Sequence, residues 1–196
     1  MVEERIPPHY RRNFAALAGD YIAFLVANAF ADSSTVLPSF ARQLTASAPL
    51  IGLIATVYNG GWLLPQLVAA NYVANKERKK PYVVWPCVVG RQMHLILAVV
   101  TYLLGATRPA IALLVFYLCL AIFSASDGLA SVPWFDILSK ALPGRRRGRY
   151  LATSQVVGGL LAIGAGAIVR RILDPTRGLP FPQSYSLLFL LAFLSY

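Results

Sequence analysis

Five long apolar runs, joined by short basic connections, constrain this chain more than any other feature. They are Phe14–Pro38, Pro49–Ala74, Tyr82–Leu104, Ala110–Phe135 and Tyr150–Val169, of 25, 26, 23, 26 and 20 residues. An α-helix needs about 20 residues to cross the hydrocarbon core of a bilayer. Backbone polar groups have no water partners there, so spanning runs of this length read as helices. The alternation that a membrane strand would show is absent from them. A sixth run, Tyr185–Tyr196, holds 12 residues. At ~1.5 Å per residue it reaches about 18 Å, short of the roughly 30 Å core. The expected fold is therefore an all-α integral membrane bundle of six transmembrane helices across residues 1–196, the sixth truncated at Tyr196, with no soluble domain. A continuation beyond Tyr196 is expected on the same ground.

Composition agrees. Charged residues make up 13% of the chain, against about 25% in soluble domains, and the mean hydropathy is +0.59. The net charge of +10 would ordinarily raise nucleic acid as a partner. Here the basic residues sit in short clusters between apolar runs, which excludes that class. Cys87 and Cys119 lie inside apolar runs and read as small buried residues. His9 and His94 stand alone, no Cys/His cluster has ligand spacing, and neither a metal nor a cofactor is expected.

Orientation follows from the enrichment of Lys and Arg on cytoplasmic loops. With the N-terminus inside, the inner segments hold Arg5, Arg11, Arg12, Lys76, Arg78, Lys79, Lys80, Lys140, Arg145, Arg146, Arg147 and Arg149. The outer segments hold Arg42, Arg108, Arg170, Arg171 and Arg177. Twelve against five predicts a multi-pass protein of the plasma membrane with a cytoplasmic N-terminus. Basic knots at that surface also suit anionic lipid heads.

Two of these knots carry a resemblance. The stretch "NYVANKERKK", residues 71–80, resembles the loop between helices two and three of major facilitator superfamily transporters. That loop reads roughly Gly-x-x-x-Asp-Arg-x-Gly-Arg-Lys. Lys76, Lys79 and Lys80 supply basic positions, and Asn75 stands where the acidic residue is expected. "PWFDILSKALPGRRRGRYLATSQVVGG" resembles the join of helices four and five in many bacterial members. The resemblance covers Arg11 to Tyr196. It departs from the superfamily's drug–proton antiporters, because Ala110–Phe135 holds no arginine and "GGLLAIGAGAIV" no proline.

The resemblance implies the N-terminal six-helix half of a secondary active transporter, working by alternating access on a small-molecule substrate beside a missing C-terminal half. Coupling to protons or another cation belongs to that expectation. It implies a gating role for Asn75, Lys76, Lys79, Lys80, Asp136, Arg146, Arg147 and Arg149, with Asp136 pairing to a loop cation such as Arg149 or Lys76. It also implies that helices one, two, four and five border a central cavity. A channel or assembly subunit is the second reading. An enzyme is not expected, since H-E-x-x-H is absent and "SASDG" is no nucleophile turn.

Ionisable groups in a bilayer core are costly and face the bundle interior or water. Asp20, Arg91 and Asp127 lie about 9, 13 and 12 Å from the cytoplasmic ends of their runs at ~1.5 Å per residue. Their matching depths predict an intramembrane charge cluster in which Arg91 pairs with Asp20 or Asp127. Separate interfacial placements remain the alternative. Asp32 is nearer the outer end and suits a solvated mouth. Tyr58, Trp62 and Gln66 recur at helical spacing, with Asn59 beside them. With Asn28 and Gln155 they are candidates to line a solute cavity; hydrogen bonding between helices is the alternative use. Gly158, Ala162 and Gly166 predict a close-packed stripe on the fifth helix.

Overall fold

The structure, a computed structural model, describes residues 9–176 and 178–196. Arg5 and Arg177, used above for orientation, lie outside the described residues. Among the described residues seven helices follow in order: α1 (Tyr10–Phe30), α2 (Val36–Leu44), α3 (Ala48–Val73), α4 (Pro81–Leu104), α5 (Pro109–Ala141), α6 (Gly144–Ile172) and α7 (Gln183–Ser195). Among the described residues there is no strand. Helices α1, α3, α4, α5 and α6 are long and apolar enough to cross a membrane, and α7 is shorter. Proline opens α3, α4 and α5, where its missing N–H would have no helical partner anyway.

The first apolar run is not one helix. It breaks after Phe30 because Asp32 offers the backbone a local alternative. Its Oδ1 accepts from the N–H of Ser34 at 3.1 Å, the N–H of Thr35 at 2.8 Å and the Thr35 hydroxyl at 2.7 Å. Such turns compete with helix wherever Asp, Ser and Thr cluster. Asp32 is therefore a turn-builder, at a partly exposed position. Beyond it, α2 buries Val36, Leu37, Phe40 and Ala41 and leaves Arg42 exposed. The second basic stretch also differs from expectation. Only Leu142 and Pro143 separate α5 from α6, and residues 144–149 form the first turns of α6.

Helices α3 and α4 pack along α5, α6 packs on α1, and α7 bridges α4 and α1. The α3–α5 contact is close enough to exclude side chains. A Cβ on Gly128 would strike the Trp62 carbonyl, and one on Gly61 would come within 2.9 Å of the Ser124 hydroxyl. Ser124 in turn donates to the Tyr58 carbonyl. On α6 the buried seam is Tyr150, Ser154, Gly158 and Ala165. The expected stripe holds only at Gly158, which faces Leu25; Gly166 faces open space and Ala162 is half-buried.

Two packed clusters close the ends. At one end Phe40 is fully buried, with the rings of Phe116, Tyr185 and Phe189 at 5.0–5.3 Å. Ser39 and Tyr185 share a 2.6 Å hydrogen bond there. At the other end, the basic one, Ala18, Leu138, Leu142 and Tyr150 form a smaller core. The Tyr150 hydroxyl donates to the Leu17 carbonyl at 2.9 Å, fastening α6 to α1. Outward faces are apolar: Leu63, Leu64, Leu67, Leu160 and Ile163 are all exposed, as lipid-facing side chains are.

Candidate functional site

Between the two packed ends the bundle is hollow. A cavity of about 370 Å³ lies among α1, α3, α4 and α5. Helix α1 contributes Asp20, Tyr21 and Phe24; α3 contributes Tyr58, Asn59 and Trp62; α4 contributes Cys87 and Arg91. Helix α5 contributes Asp127, Ala130, Ser131, Trp134 and Phe135. Pro65, Pro86 and Pro133 interrupt the hydrogen-bond ladders of α3, α4 and α5 close to this level. Each removes a backbone donor and crowds the carbonyl four residues back.

The charge cluster assembles as expected. Arg91 donates from Nη2 to Asp20 Oδ1 at 2.8 Å. The Trp134 indole donates to Asp20 Oδ2 at 3.2 Å, so both carboxylate oxygens of Asp20 are held. The Arg91 guanidinium also lies over the Tyr196 ring, 5.0 Å from its centre. Asp127 lines the same cavity, with the Trp62 side chain as a hydrogen-bond partner and Arg91 as an electrostatic neighbour. Among the described residues it makes no ion pair within 4.0 Å. The Asp20 side chain is 40% exposed and that of Arg91 26%, so this pair borders open space and is not sealed in protein.

Three of the six cavity candidates take their expected places: Tyr58, Asn59 and Trp62. The Asn59 side-chain amide donates to the Ala55 carbonyl of its own helix at 2.8 Å. Asn28, Gln66 and Gln155 do not line the cavity. Asn28 is about 12 Å further along α1 than Asp20 at ~1.5 Å per residue, where Phe30 joins the Phe40 cluster. Gln66 sits eight residues past Tyr58, which turns it about 80° round the helix; its Nε2 is buried without a partner. Gln155 is exposed, because α6 packs on α1 through its opposite side. The helices around the cavity are thus the first four spans, with α4 in the place expected for the fifth span.

Sequence reasoning missed Tyr21, Phe24, Cys87, Ser131, Trp134 and Phe135. A signal was present. Helical neighbours at i+3, i+4 and i+7 share a face. Counting forward from Asp20 reaches Phe24, counting back from Arg91 reaches Cys87, and Asp127 leads to Ser131 and Trp134.

At the basic end, Asp136 pairs with Lys140 at 2.9 Å and Lys79 at 3.6 Å. The expected pairing of Asp136 with a loop cation is met by Lys79, while of the two examples Arg149 is exposed and Lys76 lies over the Tyr72 ring. Lys79 also donates to the carbonyls of Val73 and Ala74, the latter at 3.0 Å, capping α3. Arg147 does the same for α5, reaching the carbonyls of Leu142 at 3.1 Å and Ser139 at 2.5 Å. Cations are favourable at helix C-termini, where unpaired carbonyls carry partial negative charge. Arg146 stacks over the Tyr10 ring at 5.0 Å, joining α6 to α1. Asn75 and Lys80 are exposed.

No protein-family model, curated protein or solved structure matches this chain.

Proposed function

We propose that this bundle is the N-terminal six-helix half of a secondary transporter of the major facilitator class. It moves a small solute through the α1–α3–α4–α5 cavity, by alternating access against a second six-helix bundle. One observation carries the reading: an ion pair within the spanning segments, Asp20–Arg91, borders a cavity of about 370 Å³. Charges at membrane depth are costly and persist where they serve a pathway. A purely structural pair would be enclosed by packing; here it faces a hollow.

Two further features support a carrier. The rings around Phe40 fill one end, as a carrier requires while that side is closed. Lys79 ties the start of α4 to Asp136 on α5, a contact able to break and reform when the basic end opens. The proposed setting is the plasma membrane, with the N-terminus and basic knots in the cytoplasm. Proton or cation coupling through Asp20 or Asp127 fits the same arrangement.

The test places one cysteine at Asn59 of the full-length protein, with Cys87→Ser and Cys119→Ser, in vesicles of each orientation. A membrane-impermeant thiol reagent is applied from either side. A carrier is labelled from both sides, and Asp136→Asn raises the rate from the basic side while lowering it from the other. Rates that rise together indicate a pore. No labelling from either side ends the transport reading.

A further inference from the structure

Taking the cavity as a solute site, we propose that it receives an organic monocation: an ammonium group on an apolar body, held between the Asp127 carboxylate and the rings of Tyr58 and Trp62.

The charge pattern sets the sign. Two carboxylates and one guanidinium line the cavity. Asp20 is matched on both oxygens, by Arg91 and Trp134. Asp127 has the Trp62 side chain as a hydrogen-bond partner but makes no ion pair within 4.0 Å among the described residues, so its charge is left unmatched. An anion would need Arg91, but that guanidinium is already engaged by Asp20 and lies over the Tyr196 ring.

The walls set the rest. A polyhydroxylated neutral solute needs many uncommitted polar groups. Several of those present are already engaged: the Asn59 amide on Ala55, the Trp134 indole on Asp20, and the Ser131 hydroxyl on Gly128. A bare divalent metal ion would need about six or more oxygen ligands, and six of the thirteen lining residues are aromatic. Aromatic rings attract a cation over their faces. Trp62 hydrogen-bonds Asp127 through its side chain, and Tyr58 lies within electrostatic reach of the same carboxylate. The volume of about 370 Å³ falls within the roughly 300–1,000 Å³ of small-molecule sites.

The test is calorimetric titration of the full-length protein in lipid nanodiscs with three probes of similar shape. They are benzyltrimethylammonium, benzyl alcohol and phenylacetate. The cation binds, and the neutral and anionic probes are weaker by about tenfold or more. Asp127→Asn weakens the cation about tenfold, while Asp127→Glu retains it. Equal binding of phenylacetate or benzyl alcohol overturns the proposal, as does no binding of the cation. Asp127-dependent binding of sodium alone overturns it in favour of an inorganic ion. The probe series on the wild-type protein decides the matter if Asp127→Asn does not fold. Failure here is separable from failure of the transport reading. Cation binding without two-sided labelling removes the carrier and keeps the ligand class; two-sided labelling without a charge preference does the reverse.

Discussion

Around Phe40 the helices meet through rings; around Asp20 they meet through charge, and between the two the packing changes from filled to hollow. Phe40 is fully buried and touches rings from α5 and α7. Asp20 is 40% exposed and faces a cavity shared by four helices. The difference separates two tasks. Dense packing at one end fixes how α2, α5 and α7 sit, and it is where truncation leaves a void. The middle holds polar groups that packing has not enclosed, so they border open space.

The largest effect should come from the filled end. Phe40→Ala is expected to cost about 3–5 kcal/mol, the usual range for a buried phenylalanine. Thermal unfolding in detergent would read it. A loss below about 1 kcal/mol would mean that the ring cluster is not a core, and the comparison would fail.

Next comes Arg91→Leu, which leaves Asp20 and Asp127 without a counter-charge. Sealed pairs lose about 3–5 kcal/mol when one partner goes. This pair borders open space, so about 2 kcal/mol is expected, discounted for screening. Adding Asp20→Asn should restore part of the loss, and a double-mutant cycle on the same melts measures the coupling. Strict additivity would show that the pair seen at 2.8 Å carries no interaction energy.

The smallest effect belongs to the basic end. Asp136→Asn removes contacts with Lys79 and Lys140 at a carboxylate one-third exposed to solvent. Less than about 1 kcal/mol is expected, the ordinary range for exposed pairs. High salt should erase the difference from wild type, because exposed charges are screened within about 10 Å at 0.1 M. A loss as large as that of Arg91→Leu would show that membrane depth does not set the ranking.

The five long helices were legible because apolar runs of that length have few other solutions. The Asp20–Arg91 pair was legible from three charges at matching depth. Which way each helix faces was harder to read. In lipid the outer face is as apolar as the inner one, so Gln155 gave no sign that α6 turns it outward. The break at Asp32 was written in "ADSST", but a local turn competes poorly for notice inside an apolar run. The caps made by Lys79 and Arg147 were hidden because a basic knot reads first as a topology signal. Only the chain path shows which cation reaches back to a carbonyl.

The two native cysteines compare the filled and hollow regions directly. Cys87 lines the cavity, and Cys119 is 4% exposed within the Phe40 core. The decisive measurement is the labelling rate of each, in single-cysteine variants of the membrane-embedded protein, with a positively and a negatively charged impermeant methanethiosulfonate. The account predicts that Cys87 reacts, faster with the cationic reagent, and that Cys119 does not. If Cys87 proves as inert as Cys119, the cavity is not open to water and the account is wrong.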